Sequence, residues 1–187
     1  RGGAIGVVEQ SRNAALPEGA IVNAGLGGWQ DYAVVHEGMA RRVPHLADVP
    51  LTAHMSVLGA TGLTAYFGLN DIGKPQPGET VVVSAAAGAV GSIVGQLAKL
   101  QGCRVIGIAG GPGKCKALLD LGFDGAADYK APDFADQLKA ACPNGIDVYV
   151  DNVGGDVTLA VLPLLNRGAR LTMCGYIAYY GVGMEGP

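Results

Sequence analysis

VVVSAAAGAVG, residues Val81 to Gly91, is the stretch on which the reading of this chain turns. Val81, Val82 and Val83 are consecutive and β-branched, which suits a strand buried on both faces in the middle of a parallel sheet, and Pro77 and Gly78 bound the run upstream. Beyond it the chain bends through Ala86, Gly88 and Gly91 into SIVGQLAKL, where Ile93, Val94, Leu97 and Leu100 recur at helical spacing. The order is strand, tight glycine turn, helix. Small residues at such a turn let backbone N–H groups approach a pyrophosphate, and the helix N-terminus adds a favourable dipole. The spacing is A-x-G-x-x-G, with Ala86 where the usual fingerprint has its first glycine. In a chain with 31 glycines, a glycine-tolerant turn with no ligand is the competing reading.

Downstream the chain alternates. CRVIGIAG (Cys103 to Gly110) reads as a second strand, GKCKALLDLG (Gly113 to Gly122) as a helix closed by glycine, and GAADY (Gly125 to Tyr129) as a third strand. DFADQLKAAC (Asp133 to Cys142) follows as a helix, IDVYVDNVGG (Ile146 to Gly155) as the fourth strand with its loop, DVTLAVLPLLN as a helix, and ARLTMCG (Ala169 to Gly175) as the fifth strand. Strand-helix alternation with short loops predicts right-handed crossovers and a doubly wound parallel Rossmann sheet of α/β class, with ligands beyond the carboxyl ends of the strands.

In NAD-binding sheets an acidic residue ends the second strand and bonds the adenosine ribose. Here that strand ends in Ala109, Gly110 and Gly111, and Lys114 follows. A ribose phosphate would meet a cation there, so charge complementarity favours NADP(H). Lysine near a helix N-terminus is mildly unfavourable unless something negative compensates. The plainer reading is that Lys114 and Lys116 decorate an exposed helix start. An aspartate or glutamate reaching the ribose from elsewhere in the fold would bring the NADP(H) reading down.

Upstream the texture differs. GAIGVVEQ (Gly3 to Gln10), GAIVN (Gly19 to Asn23) and WQDYAVVH (Trp29 to His36) are short, β-branched or aromatic segments separated by turn residues, and read as antiparallel, barrel-like strands. Three or four strands cannot close a barrel, so the chain is expected to be a piece of a larger protein. LTAHMSVLGA (Leu51 to Ala60) and GLTAYFGLND (Gly62 to Asp71) read as connecting helices, and KPQPGE (Lys74 to Glu79) as the turn into the first parallel strand. The expected division is 1–50, 51–78 and 79–187.

Charged residues make up only 16% of the chain and the net charge is −3, which gives no basic footprint for nucleic acid. Apolar runs are broken well short of the roughly 20 residues of a membrane span, so no membrane partner is expected and a cytoplasmic location is. Cys103, Cys115, Cys142 and Cys174 are scattered, without a C-x-x-C, and His36, His45 and His54 lie on separate predicted elements; no metal site is predicted.

The run GLTAYFGLNDIGKPQPGETVVVSAAAGAVGSIVGQLAKLQGCRVIGIAGGPGKC, then LGFDGAADYK, DNVGG and CGYIAYY, resembles the zinc-free medium-chain dehydrogenase/reductase superfamily. Within it the likeness is to the prostaglandin reductase group, which includes the leukotriene hydroxydehydrogenases, the NADPH-dependent alkenal/one reductases and bacterial curcumin reductase. It covers nearly the whole chain, and GWQDYAVV is similar to that family's N-terminal, GroES-like domain. The resemblance implies an NADP(H)-binding domain of six strands, here ending at Pro187 before the last, with part of a GroES-like substrate domain before it. It implies that Gly88, Ala89, Val90 and Gly91 hold the pyrophosphate, that Lys114 and Tyr129 meet the ribose phosphate, that Asn152 lies by the cofactor, and that Cys174 to Tyr180, with Gly175 among them, line the nicotinamide. Tyr176, Ala178, Tyr179 and Gly181 depart from the family pattern.

The implied reaction is metal-free hydride transfer from NADPH to the β-carbon of an α,β-unsaturated ketone or aldehyde, in a homodimer. Tyr180, with Tyr66 behind it, is the candidate hydroxyl for the carbonyl; aromatic packing is the alternative for each. Quinone reduction within the same superfamily and a non-catalytic NADP(H)-binding module are the other functions that fit.

Overall fold

The structure is a computed structural model that describes residues 2–27 and 30–181. It divides into two compact units, Arg1–Thr61 and Gly62–Pro187.

In the first unit, β1 (Gly2–Val7), β2 (Ile21–Gly27) and β3 (Arg41–Arg42) form an antiparallel sheet in that order. Among the described residues its core is thin: Ala20, Val22, Val43 and Ala53 are the buried apolar side chains there. The strand expected at Trp29 to His36 does not form. Trp29 lies outside the described residues, and 30–36 is irregular, with Tyr32 and Val34 on solvent. A β-branched residue favours a strand only where it has a pleated surface to pack on, and Val34 has none. The helix expected over Leu51 to Ala60 shrinks to a 3₁₀ segment, Leu51–Met55. Only Ala53 of it is buried, while Met55, Val57 and Leu58 stay exposed, so no apolar face is covered that would propagate a helix.

Helix α1 (Ala60–Phe67), of which all but the first two residues belong to the second unit, runs on into a π-helical stretch, Gly68–Gly73, and stops where Lys74 turns left-handed at φ 44°. The helix expected at Gly62 to Asp71 is therefore present but changes pitch. Then β4 (Thr80–Val83), α2 (Ala89–Leu100), β5 (Arg104–Ala109), α3 (Pro112–Asp120), β6 (Gly125–Asp128), α4 (Phe134–Ala141), β7 (Ile146–Asp151), α5 (Gly155–Val161) and β8 (Leu165–Met173) follow. The five strands pair in the order β6-β5-β4-β7-β8, all parallel. This is the doubly wound sheet read from the sequence. The winding reverses between β4 and β7, where such sheets bind ligands.

β4 explains why the valines are consecutive. Val81 and Val83 enter the core shared with Ala65, Val94, Ala98, Leu118 and Phe123, whereas Val82 enters the opposite one with Leu138, Tyr149, Val157 and Val161. Each valine is fully buried and contributes about 1.5–2 kcal/mol of apolar burial.

At the amino ends of the strands the polar groups are tied together. The Arg170 guanidinium of β8 donates to both carboxylate oxygens of Glu79, to the Gly73, Lys74 and Asp147 carbonyls, and so clamps the entry to β4. Arg170 holds the Glu79 carboxyl below its usual pKa. Asp147 accepts the Thr80 amide at 2.9 Å and the Asn166 side chain at 2.8 Å.

Candidate functional site

The turn after β4 is shaped by backbone bonds. Ser84 donates its amide to Val150 and Ala86 its amide to Ile108, so the turn hangs from both neighbouring strands. Ala85 takes a left-handed φ of 45°, and the Gly88 amide closes on the Ala85 carbonyl at 2.8 Å. Gly88 is the N-cap of α2 and provides no side chain to cap it. The first amide to find a carbonyl within the helix is Ser92, on Gly88. The amides of Ala89, Val90 and Gly91 belong to the first turn, where an α-helix has no acceptor of its own to offer, and can face an anion. Gly91 must be glycine: a Cβ there would stand 2.5 Å from the Ala85 carbonyl oxygen and 2.8 Å from the Ala86 Cα.

Beside this turn, at the reversal point, lies a polar knot that the sequence reading missed. Asp151, 0% exposed at the end of β7, accepts at Oδ1 from the Ser84 hydroxyl (2.8 Å) and the Val153 and Gly154 amides (2.9 and 3.0 Å), and at Oδ2 from the Thr158 hydroxyl. Burial alone would raise its pKa; the Thr158, Gly154, Val153 and Ser84 hydrogen bonds together hold it below the ordinary value. The same Ser84 hydroxyl accepts the Asn152 amide, and the Asn152 side chain donates to the Ser84 carbonyl, both at 2.8 Å. The Asp151 carbonyl accepts the amides of Cys174 and Gly175. Asn152, Cys174 and Gly175, all candidate site residues, are thus locked to the glycine turn through Ser84 and Asp151. The available signal was a serine just past β4 and an aspartate ending β7, each following a run of buried, mostly apolar residues.

At the end of β5, the Tyr129 ring lies against Gly110, where a Cβ would come 2.8 Å from it. Tyr129 donates its amide to Ala109, which fixes it over this turn. Gly111 is the N-cap of α3, and Lys114 stands in that helix's first turn, on solvent. The two lysines separate here: Lys116 pairs with Asp120 at 2.7 Å, and Lys114 has no ion-pair partner among the described residues. A carboxylate does reach this turn. Asp128, at the end of β6, accepts the Gly111 amide at 2.8 Å and the Lys130 amide at 2.9 Å through Oδ1, and these two bonds lower its pKa.

The segment after β8 folds back onto the loop after β7. Ala178 donates its amide to Val153, and the rings of Tyr176 and Tyr179, 6.4 Å apart, flank Gly154, whose φ is +73°. A Cβ on Gly154 would lie 3.0 Å from the Tyr179 ring. The aromatic departures at Tyr176 and Tyr179 are therefore packed against a corner that has no side chain of its own. Tyr180 is 74% exposed, its amide on the Ile177 carbonyl, and Tyr66 is 52% exposed with its ring edge-on to Phe67 at 5.5 Å. Cys103, Cys115, Cys142 and Cys174 are free thiols.

A parallel sheet wound 3-2-1-4-5 in chain terms, with an uncapped glycine turn at its central strand, defines the class of dinucleotide-binding α/β domains. Residues 89–183 match the family model described as zinc-binding dehydrogenase. The chain belongs to that family. It is 49% identical over 182 residues to NADPH-dependent curcumin reductase of Escherichia coli (strain K12), covering 96% of this chain and 52% of the relative. It is 46% identical over 176 residues to prostaglandin reductase 1 of Mus musculus, covering 92% and 53%. The crystal structure of CurA from Vibrio vulnificus in complex with NADPH superposes with a TM-score of 0.90 at 51% identity, over 100% of this chain and 56% of that one. The chain spans about half the length of the curated relatives it matches. Among the described residues no three of His, Cys, Asp and Glu gather in a group that could hold a metal ion. No helix among them is long and apolar enough to cross a membrane.

Proposed function

We propose that this chain is the cofactor-binding portion of an NADPH-dependent reductase that saturates the C=C bond of α,β-unsaturated ketones and aldehydes. The observation that carries the reading is the pairing of two helix starts at the carboxyl end of the sheet: the uncapped start of α2 after β4, and the start of α3 after β5, where Lys114 has no ion-pair partner among the described residues and Tyr129 packs on Gly110. The likeness to an NADPH-dependent curcumin reductase and to an NADPH complex supports it. When bound, the cofactor supplies the hydride that the β-carbon accepts; the α-carbon takes a proton.

The amides of Ala89, Val90 and Gly91 would hold the pyrophosphate, and Lys114 with the Tyr129 hydroxyl the ribose phosphate. Asn152, Cys174 and Gly175, fastened through Asp151 and Ser84, would form the wall beside the nicotinamide. A wall whose donors and acceptors are already satisfied keeps its position as charge moves, which is what orientation requires. Tyr180 is the candidate to bond the carbonyl oxygen of the substrate, with Tyr66 behind it. The natural assembly is a homodimer in the cytoplasm.

Lys114→Ala tests the reading. NADPH affinity is expected to fall about 10- to 100-fold and NADH affinity to stay within about two-fold, as loss of one charge-assisted phosphate contact implies. Equal loss of both removes the phosphate role. Enone and quinone substrates offered in parallel to the full-length protein separate enone reduction from quinone reduction, and NADPH binding without turnover of either indicates a binding module.

A further inference from the structure

Asp128 stands at the same turn, after β5, from which α3 and Lys114 start. The parallel register sets Asp128 of β6 opposite Ala109 of β5, so its carboxylate arrives at the mouth of the second strand by topology rather than by sequence order. There it accepts the amide of Gly111, the N-cap residue of α3, three positions before Lys114. Its neighbour Tyr129 covers Gly110. The carboxylate is held by two amides and lacks an ion-pair partner among the described residues: Lys116 is taken by Asp120, and Lys130 acts on it only through its own amide and at a distance. Its negative field also bears on Cys115, one turn into α3.

We propose that Asp128 is a specificity-determining residue that limits the preference for NADPH over NADH, its fixed charge repelling the ribose phosphate that Lys114 attracts. The inference rests on the NADP(H) reading above. The carboxylate has a separate structural task, since it ties the turn after β5 to the turn after β6 by accepting one amide from each. Neutral acceptors can perform that task without the charge. Asparagine therefore isolates the electrostatic part, because its carbonyl oxygen can accept the same two amides. The competing role, a direct ribose ligand, predicts the opposite sign: losing the charge would weaken NADH.

The experiment measures dissociation constants for NADPH and NADH by cofactor fluorescence in the purified full-length protein, comparing wild type, Asp128→Asn, Asp128→Ser and Lys114→Ala, with Asp120→Asn as a control on α3. Titrations are run at about 20 mM and about 500 mM KCl, across which the Debye length shrinks severalfold. Expected for both Asp128 variants at low salt is NADPH binding tighter by about three- to ten-fold with NADH unchanged, a gain that shrinks at high salt as a charge effect must. An unaltered NADPH to NADH ratio, a gain insensitive to salt, or weakened NADH binding overturns the inference while Lys114→Ala still loses NADPH selectively. If Lys114→Ala loses both cofactors equally, the NADP(H) reading fails and the inference falls with it.

Discussion

At the amino ends of the parallel strands, all three guanidinium nitrogens of Arg170 are directed to protein acceptors: Glu79 and the carbonyls of Gly73, Lys74 and Asp147. At the carboxyl ends, Asp151 is just as fully satisfied, yet among the described residues Lys114 has no ion-pair partner and the start of α2 has no side-chain cap. One end is closed on itself. The other combines a closed knot with open groups, which is the arrangement of a rigid frame around a ligand site. Saturation of polar groups thus marks the frame, and open donors next to a saturated knot mark the place where something else binds.

The largest test of this contrast is Asp151→Ala. It strands the Ser84 and Thr158 hydroxyls and two amides in a buried place, and about 3 kcal/mol of stability in a urea melt is expected to go. NADPH binding is expected to weaken with it, since Asn152, Cys174 and Gly175 lose their anchor. Arg170→Ala comes next, at about 2 kcal/mol, because the Glu79 pair keeps some solvent and is screened in part. Its NADPH dissociation constant is expected to stay within about two-fold; a large change would mean that the two ends are coupled, and the contrast breaks.

Acid sharpens it further. Glu79 and Asp151 both titrate below their ordinary values in the folded state. A depressed carboxylate pKa gives stability that is fully present above the unfolded value of about 4 and is lost as pH falls through the folded value. The urea midpoint is expected to hold between about pH 7 and 5 and to drop below about pH 4, with the drop reduced in Asp151→Asn. The smallest effect belongs to Lys116→Ala: its exposed pair with Asp120 is expected to contribute less than about 0.5 kcal/mol, with no change in either cofactor's affinity.

The parallel sheet was legible because its signals are local: three consecutive valines, a glycine turn and helical spacing in the next dozen residues. The N-terminal strands were legible only in part. GAIGVVEQ and GAIVN found each other as β1 and β2, whereas residues 30–36 carry the right residue types and no partner strand, and Leu51 to Ala60 carry a helical pattern with no face to bury. Local preference proposes an element and long-range packing accepts or refuses it.

Of the candidate site, Gly88 to Gly91 and Lys114 could be named from the chain because the groups concerned are close in sequence. The bond from Ser84 to Asp151 joins residues 67 positions apart, and Asp128 meets Gly111 across 17. The chain alone fixes the order of strands and helices in the parallel sheet, the buried identity of β4 and the glycine turn, since each depends on neighbours within a few residues. That the carboxylate of Asp128 reaches the turn after β5, and that Asp151 locks the opposite wall, is set by the fold alone. Parallel strand pairing brings distant strand ends side by side, and no spacing along the chain records which ends will meet.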